Sequence, residues 1–314
     1  MIRAAVLHTC GQAPVVESRP LPVPAPGELT VTVTAVPITP LDLLCASGTS
    51  YFGTPATPYV PGVQGVGTLP DGTPVWFATA AGMRPGDGSM ASVVTVPPAA
   101  VVPLPGDAPP ALVAALGLSA VAAHQALHRT GELVAGEQVI VLGAGGVVGQ
   151  AAVQLARLGG ARRVIAVTRS SSPGADAVVP LRPDDDVDTL AARLREVLDG
   201  PADLVVDPVF GVPAAAALRV LRPGGRLVNL GSSAAATAPI DSATLRGGSL
   251  RILGYTNNAL STAERAAALT EIAGHAAAGR LTVRHVTVPF AETAEAWQRQ
   301  ASGTTDRIVL ALTS

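Results

Sequence analysis

Apolar residues change their spacing along this 314-residue chain. From residue 1 to about 110 they alternate with polar ones in short runs, as in Leu29-Thr-Val-Thr-Val-Thr-Ala-Val36. A period of two is that of a half-buried strand. Prolines interrupt these runs closely, which predicts an irregular β-rich domain. Residues 111–129 are mostly apolar and predict a buried helix. From 137 to about 232 strand and helix patterns alternate. Strands are predicted at 139–142, 164–168, near Ala177-Val-Val, at 202–207 and at 226–231, with helices at 147–156, 188–198 and 212–221. Residues 250–254 predict a further strand. Ser261 to Ala278 predicts a long helix, opened by the capping box Ser261-Thr-Ala-Glu264. The tail predicts strand, helix and strand over 283–288, 293–300 and 307–312. Alternation in the middle of the chain means an α/β fold with a doubly wound parallel sheet. Because β-rich sequence flanks it, that sheet is expected as an insertion, with residues 1–113 and 246–314 forming one domain and 114–245 the other.

The strand at 139–142 runs into Gly143-Ala-Gly-Gly146-Val-Val-Gly149. Glycines three apart between a strand and a helix suit a turn whose backbone approaches a pyrophosphate, with the helix's first N–H groups facing it. Gly143 and Gly146 then shape the turn, and Gly146, Val147 and Val148 supply backbone contacts. The next strand ends in Thr168-Arg169-Ser170. An NAD site ends that strand in Asp or Glu, which holds the ribose 2′-hydroxyl. A guanidinium between two hydroxyls suits a 2′-phosphate instead. NADPH is therefore the expected cofactor. Between Arg169 and Gly174 there is no room for the usual crossover helix, so a loop is expected beside the 2′-phosphate.

Composition removes several classes of chemistry. All 21 basic residues are arginine. Schiff-base catalysis, a P-loop lysine and a Tyr-x-x-x-Lys pair are excluded. A net charge of −2 gives no basis for a nucleic-acid patch or an anionic membrane surface. No apolar run reads as a membrane span, and the apolar start is too short for a signal peptide. Cys10 and Cys45 are the two cysteines and form no disulfide framework. These features make the cytoplasm the expected compartment. His124 and His128, four apart on a helix, have a metal-pair spacing, but no third ligand accompanies them and they read as core or interface residues.

The order of β-rich segment, dinucleotide-binding segment and return resembles the medium-chain dehydrogenase/reductase superfamily. Over essentially the whole chain it is similar to the zinc-independent NADPH:quinone oxidoreductase and enoyl reductase branch. The segments that carry the resemblance are Ile38-Thr-Pro-Leu-Asp42, Pro61-Gly-Val-Gln-Gly65-Val-Gly67, Gly88-Ser-Met-Ala-Ser-Val-Val94, Ala115-Leu-Gly-Leu-Ser119-Ala, the glycine turn, Gly174-Ala-Asp-Ala-Val, Asp207-Pro-Val and Leu221-Arg-Pro-Gly-Gly-Arg-Leu-Val-Asn-Leu-Gly231. It implies a Rossmann domain inserted into a GroES-like catalytic domain. Zinc members carry a cysteine near position 39 and Gly-His-Glu where this chain has Gly62-Val63-Gln64. Thr39, Val63 and Gln64 do not make a zinc ligand set, and the four-cysteine zinc lobe is missing as well.

The resemblance also implies roles. Leu230, Gly231 and Ser232 correspond to the segment that meets the nicotinamide amide. Ser119 stands where relatives have Thr, and Thr39 replaces an Asn on the nicotinamide side. Arg182 is either a second basic contact to the cofactor or a plain surface residue. Tyr51 and Phe52 either line the substrate cleft or pack their own loop, and Tyr255, with Asn257 and Asn258, is a candidate for the same cleft. Tyr51 and Tyr255 are thus the candidate catalytic groups, for a proton that otherwise comes from water. Without zinc, hydride transfer to a quinone or an α,β-unsaturated carbonyl is easier than alcohol oxidation, because charge develops on a distant oxygen that a few hydrogen bonds stabilise. The expected substrate is a small apolar conjugated carbonyl or quinone. Two alternatives stay open: a dedicated enoyl or ketone reductase of a polyketide-type pathway, and a non-catalytic NADPH-binding protein. Relatives pair the edge strands of their parallel sheets, which implies a homodimer through 250–254.

Overall fold

The computed structural model describes residues 1–304 and 306–312. The chain begins with β1 (Ile2–Val6), β2 (Val15–Arg19), β3 (Leu29–Pro37), α1 (Pro40–Ala46), β4 (Gln64–Thr68), β5 (Pro74–Ala78), β6 (Val93–Val96) and β7 (Val101–Pro103). The middle holds α2 (Pro110–Gln125), β8 (Gln138–Leu142), α3 (Val147–Leu158), β9 (Arg163–Thr168), β10 (Ala177–Pro180), α4 (Val187–Val197), β11 (Ala202–Asp207), α5 (Gly211–Leu218), β12 (Leu221–Asn229), α6 (Ser242–Gly248) and β13 (Arg251–Gly254). The end is α7 (Thr262–Ala277), β14 (His285–Pro289), α8 (Thr293–Ala301) and β15 (Arg307–Ala311).

The chain divides into two compact units, 1–117 with 261–314 and 118–260. In the first, β14, β15, β3, β4, β5 and β7 follow one another in a sheet, and β6 adds to β3. The β1–β2 hairpin stands apart from that sheet. Val31, Val33, Phe77, Met90, Ile308 and Leu310 form its core. The alternation read at 29–36 appears in β3, whose Val31 and Val33 are buried while Thr32 between them is exposed.

The second unit is a six-stranded sheet in the order β10-β9-β8-β11-β12-β13, parallel throughout. Its order reverses between β8 and β11. In open sheets of this kind ligands bind beyond the carboxyl ends of the strands at that reversal. β8 is buried along its whole length, as a central parallel strand covered on both faces must be.

Two expectations are corrected here. Residues 246–260 belong with the parallel sheet, because β13 continues its ladder, Arg226 to Arg251 through Asn229 to Gly254. The apolar stretch Pro110–Thr130 is long and apolar enough to cross a membrane, with a mean hydropathy of 1.5, yet 72% of that window is buried inside the protein. It is also broken at Gly117, whose φ of 30° and ψ of −132° are not helical. A Cβ there would lie 2.1 Å from Gln64 Oε1, so only glycine fits.

The crossover from β9 to β10 is a loop, as its length required. Asp176 fastens it: its carboxylate accepts from the Val164 N–H at 2.7 Å and pairs with Arg157, while its own N–H donates to the Val164 carbonyl at 2.8 Å. Level with Val164 across the parallel strands, Arg226 is buried to 2% exposure. Its guanidinium donates to both Glu137 oxygens, at 2.7 and 2.6 Å, and to the carbonyls of Asp203, Glu132 and Gly131.

Candidate functional site

In the second unit the site grows from the end of β8. Gly143 has φ +62°, and a Cβ on it would stand 2.6 Å from Val209 Cγ1. A Cβ on Gly149 would lie 2.4 Å from the Gly143 carbonyl oxygen, so both glycines let strand and helix close on each other. Gly146 caps α3 with extended backbone, and a Cβ there meets nothing nearer than 3.6 Å, which leaves open space over the helix N-terminus. Val147 and Val148 begin that helix. The first turn of a 12-residue helix thus offers unpaired N–H groups and the positive end of a dipole to an anion.

Thr168 and Ser170 come together at the end of β9. Their hydroxyls lie 3.3 Å apart, and the Ser170 N–H donates to Thr168 Oγ1 at 3.1 Å. Both point at Gly145, where a Cβ would stand 2.7 Å from Ser170 Oγ and 2.8 Å from Thr168 Oγ1. The bare Cα of Gly145 therefore admits these two hydroxyls. Arg169 between them is exposed. Arg182 follows β10, whose Pro180 stands beside Thr168 in the ladder and whose continuation, the Leu181 N–H, donates to the Thr168 carbonyl. Two exposed arginines therefore leave the same ends of adjacent strands.

Leu230, Gly231 and Ser232 follow β12 and are held by two residues that sequence reading did not single out for function. Asp207, at the end of β11, accepts at Oδ1 from the N–H groups of Val209 and Phe210, at 3.0 and 2.7 Å. Asn229 donates to Asp207 Oδ2 and to the Gly231 carbonyl, and the Leu230 N–H donates to the Asp207 carbonyl at 2.9 Å. Gly231 is required because a Cβ would lie 2.7 Å from the Pro208 carbonyl. Phe210 takes a positive φ of 60°, strain of the kind that collects near binding sites. Burial holds the Asp207 carboxyl above its ordinary range despite those donors. The signal available in sequence was an Asp and an Asn ending neighbouring strands.

Ser119 is half-buried, the second residue of the helix segment that restarts after Gly117. The Tyr255 hydroxyl donates to Asn257 Oδ1 at 2.6 Å, and the Asn257 amide donates to the Leu118 carbonyl at 3.0 Å. The proton that sequence reading assigned to catalysis is thus directed at Asn257. His124 and His128 are half-buried, with ring centroids 4.7 Å apart.

In the first unit, Thr39 is buried and serves as N-cap of α1. Its hydroxyl donates to Asp42 Oδ2 at 2.6 Å and accepts from the Asp42 N–H at 3.2 Å. That cap occupies the hydroxyl expected beside the nicotinamide. Asp42 Oδ1 accepts from the Val63 N–H at 2.8 Å. Burial raises the Asp42 carboxyl, against hydrogen bonds from Thr39 and Val63 and the charge of Arg307. Burial likewise lowers Arg307 to about 10, with Asp42 opposing. Gln64 Oε1 accepts from Trp76 Nε1 at 3.2 Å, and Trp76 is core. Tyr51 is 76% exposed, with its ring 4.3 Å from that of Phe52. The sequence-derived tyrosines, Tyr51 and Tyr255, lie in different units.

A family described as zinc-binding dehydrogenase matches residues 173–306. The donors here do not suit zinc: Thr39 is tied to Asp42, Val63 has no ligating atom, and Gln64 bonds Trp76. No cluster of three or more His, Cys, Asp or Glu side chains occurs among the described residues. Over 281 residues the chain is 31% identical to a zinc-type alcohol dehydrogenase-like protein of Schizosaccharomyces pombe, covering 85% of this chain and 82% of that protein. A solved quinone oxidoreductase of Thermus thermophilus, also determined with NADPH, is 30% identical, with a TM-score of 0.78 over 99% of this chain and 100% of the other. A phenolphthiocerol/phthiocerol polyketide synthase subunit of Mycobacterium tuberculosis is 31% identical over 222 residues, 68% of this chain but 10% of that protein. With its six-stranded parallel sheet, its glycine turn and these relatives, the chain belongs to the medium-chain dehydrogenase/reductase superfamily and is an oxidoreductase of the quinone oxidoreductase-like branch.

Proposed function

We propose that the chain reduces a quinone or an α,β-unsaturated carbonyl with NADPH. The observation that carries this reading is the end of β9: two hydroxyls, Thr168 and Ser170, meet over Gly145 where an NAD site needs a carboxylate. Arg169 and Arg182 add guanidinium groups suited to a 2′-phosphate. Gly146, Val147 and Val148 hold the pyrophosphate, Ser119 stands near the nicotinamide end, and Leu230, Gly231 and Ser232, fixed by Asp207 and Asn229, hold the carboxamide. Bound there, the reduced nicotinamide supplies a hydride. The chain's part is to orient the reactants, exclude water and stabilise negative charge on the acceptor oxygen.

The polyketide synthase relative favours a second reading, a reductase dedicated to one enoyl intermediate. An acceptor panel separates the two. The protein is titrated with NADPH and NADH, and oxidation is followed by absorbance with 1,4-benzoquinone, 9,10-phenanthrenequinone and a simple enone. Tight NADPH binding with turnover supports the general reductase. Tight binding without turnover supports the dedicated enzyme, or a non-catalytic binder when an enoyl thioester is also refused. Failure to bind NADPH overturns both. The same reading places the protein in the cytoplasm as a homodimer joined along β13, whose Ile252 is exposed at the sheet edge. Light scattering that reports a monomer overturns the dimer.

A further inference from the structure

The loop that carries Arg182 is fastened from two sides. The Arg182 N–H donates to Asp185 Oδ2 at 2.8 Å, and the Asp185 N–H donates back to the Arg182 carbonyl at 3.3 Å. Pro183 between them fixes its own φ and keeps the preceding residue out of helical backbone. The Asp185 side chain is 6% exposed, and its other oxygen pairs with Arg193 of α4. The same guanidinium donates to the carbonyl of Pro180, the last residue of β10, at 2.6 Å. The fork of Arg193 thus ties the loop to the end of a strand and to a helix whose Leu190 and Leu194 are buried.

This tie lies beside the end of β9. Pro180 is level with Thr168, and the Leu181 N–H donates to the Thr168 carbonyl at 2.9 Å, so the loop starts next to the strand end that carries Arg169 and Ser170. Arg169 and Arg182 are both exposed, and neither guanidinium has a partner among the described residues. Asp184, Asp185 and Asp186 follow Arg182 closely, yet none pairs with its guanidinium. The Asp185 carboxylate is taken by Arg193, and Asp186 caps α4, accepting the Thr189 N–H at 2.7 Å. The loop therefore turns two of its carboxylates onto its own frame and leaves the Arg182 charge unneutralised.

We propose that Asp185, held by Arg193, is a positioning residue for the 2′-phosphate of NADPH: it presets the loop from which Arg182 meets that phosphate beside Arg169. The assignment rests on the NADPH reading above. A loop ordered in advance loses less conformational freedom when the cofactor binds, so the clamp raises affinity for the phosphate-bearing cofactor without touching it. The charge of Asp185 alone would do the opposite, because a carboxylate near a phosphate repels it. The two effects therefore have opposite signs.

Asp185→Ala, Arg182→Ala and the double variant, each in the full chain, are titrated with NADPH and with NADH, binding being read from cofactor fluorescence. Asp185→Ala should weaken NADPH about tenfold or more and leave NADH within about twofold, and the double variant should bind NADPH no more weakly than Arg182→Ala. Unchanged or tighter NADPH binding by Asp185→Ala overturns the assignment. An equal loss for NADH overturns it as well, because Asp185 then serves the fold alone. So does a double variant whose loss is the product of the two single losses, because Asp185 then does not act through Arg182. Should Asp185→Ala not fold, Asp185→Asn, which keeps an acceptor for the Arg182 N–H but not the charge that Arg193 pairs with, is read by the same criteria. A wild type that holds NADPH and NADH equally overturns the NADPH reading and this assignment with it. A wild type that prefers NADPH beside an unaffected Asp185→Ala overturns the assignment alone.

Discussion

The Asn229 side-chain amide donates to Asp207 Oδ2 at 3.0 Å, joining the carboxyl ends of β11 and β12. The same carboxyl is raised by burial. A carboxyl that protonates more readily in the folded than in the unfolded chain favours the fold at low pH. That contribution is complete below the unfolded value and is lost as pH rises through the folded one. Asp207→Asn does not ionise. Its unfolding free energy should fall less than that of the wild type between about pH 4 and pH 7. Asp42, raised in the same way, contributes equally to both proteins. Urea midpoints across that range check this, and parallel curves would refute it.

Gly145→Ala places a methyl against the Thr168 and Ser170 hydroxyls. The backbone at 145 has no positive φ, so the fold tolerates the change. Affinity for NADPH should drop about tenfold or more, since a displaced hydroxyl pair costs about 1–3 kcal/mol. A fluorescence titration beside a thermal melt separates lost binding from lost stability.

Arg169→Ala removes an exposed guanidinium proposed for the 2′-phosphate. A charge-assisted contact of this kind contributes about 1.5–3 kcal/mol, roughly 10- to 100-fold in affinity. NADPH should weaken by that factor while NADH hardly changes. Equal losses for both would show that Arg169 does not recognise the phosphate.

Arg226→Ala leaves Glu137 and the carbonyls of Asp203, Glu132 and Gly131 without their buried donor. Removing one partner of a buried pair costs about 3–5 kcal/mol. Arg226→Lys should recover little, because an ammonium does not reproduce the planar fork. Denaturant unfolding of the two variants measures this, and a loss below about 1 kcal/mol would contradict it.

Tyr255→Phe bears on the proton. A general acid contributes about 10²- to 10⁴-fold, whereas the phenol here donates to Asn257, which holds the Leu118 carbonyl. The variant should keep kcat within about tenfold and lose about 0.5–1.5 kcal/mol of stability. A rate loss of 10²-fold or more without a change in stability would restore Tyr255 as the donor.

The sequence made the parallel sheet legible because its signals are local. Each strand is a short apolar run, and the turn after β8 announces itself by glycines at fixed spacing. Thr168 and Ser170 were legible as a pair because they end a strand. The hold of Asp207 on Leu230 was not, since it joins residues that meet only when two strands lie side by side in register. The cap that Thr39 makes with Asp42 was not legible for the same reason: in sequence a cap and a cofactor contact look alike. No apolar run was read as a membrane span, yet Pro110–Thr130 has the length and composition of one, and its burial in the protein shows only in the fold.

The hydrogen bonds around Thr39 and Gln64 constrain what substitution could do at this place. Building a metal centre there would take at least three substitutions, each with its own penalty before any ligand set existed. Thr39→Cys undoes the cap of α1, a histidine at Val63 must fit a buried position, and Gln64→Glu sets a charge beside Trp76 and against Gly117. No intermediate gains metal affinity to offset the damage. The packing and hydrogen bonds at these three positions thus act as a barrier against a metal site, whatever substitution comes first.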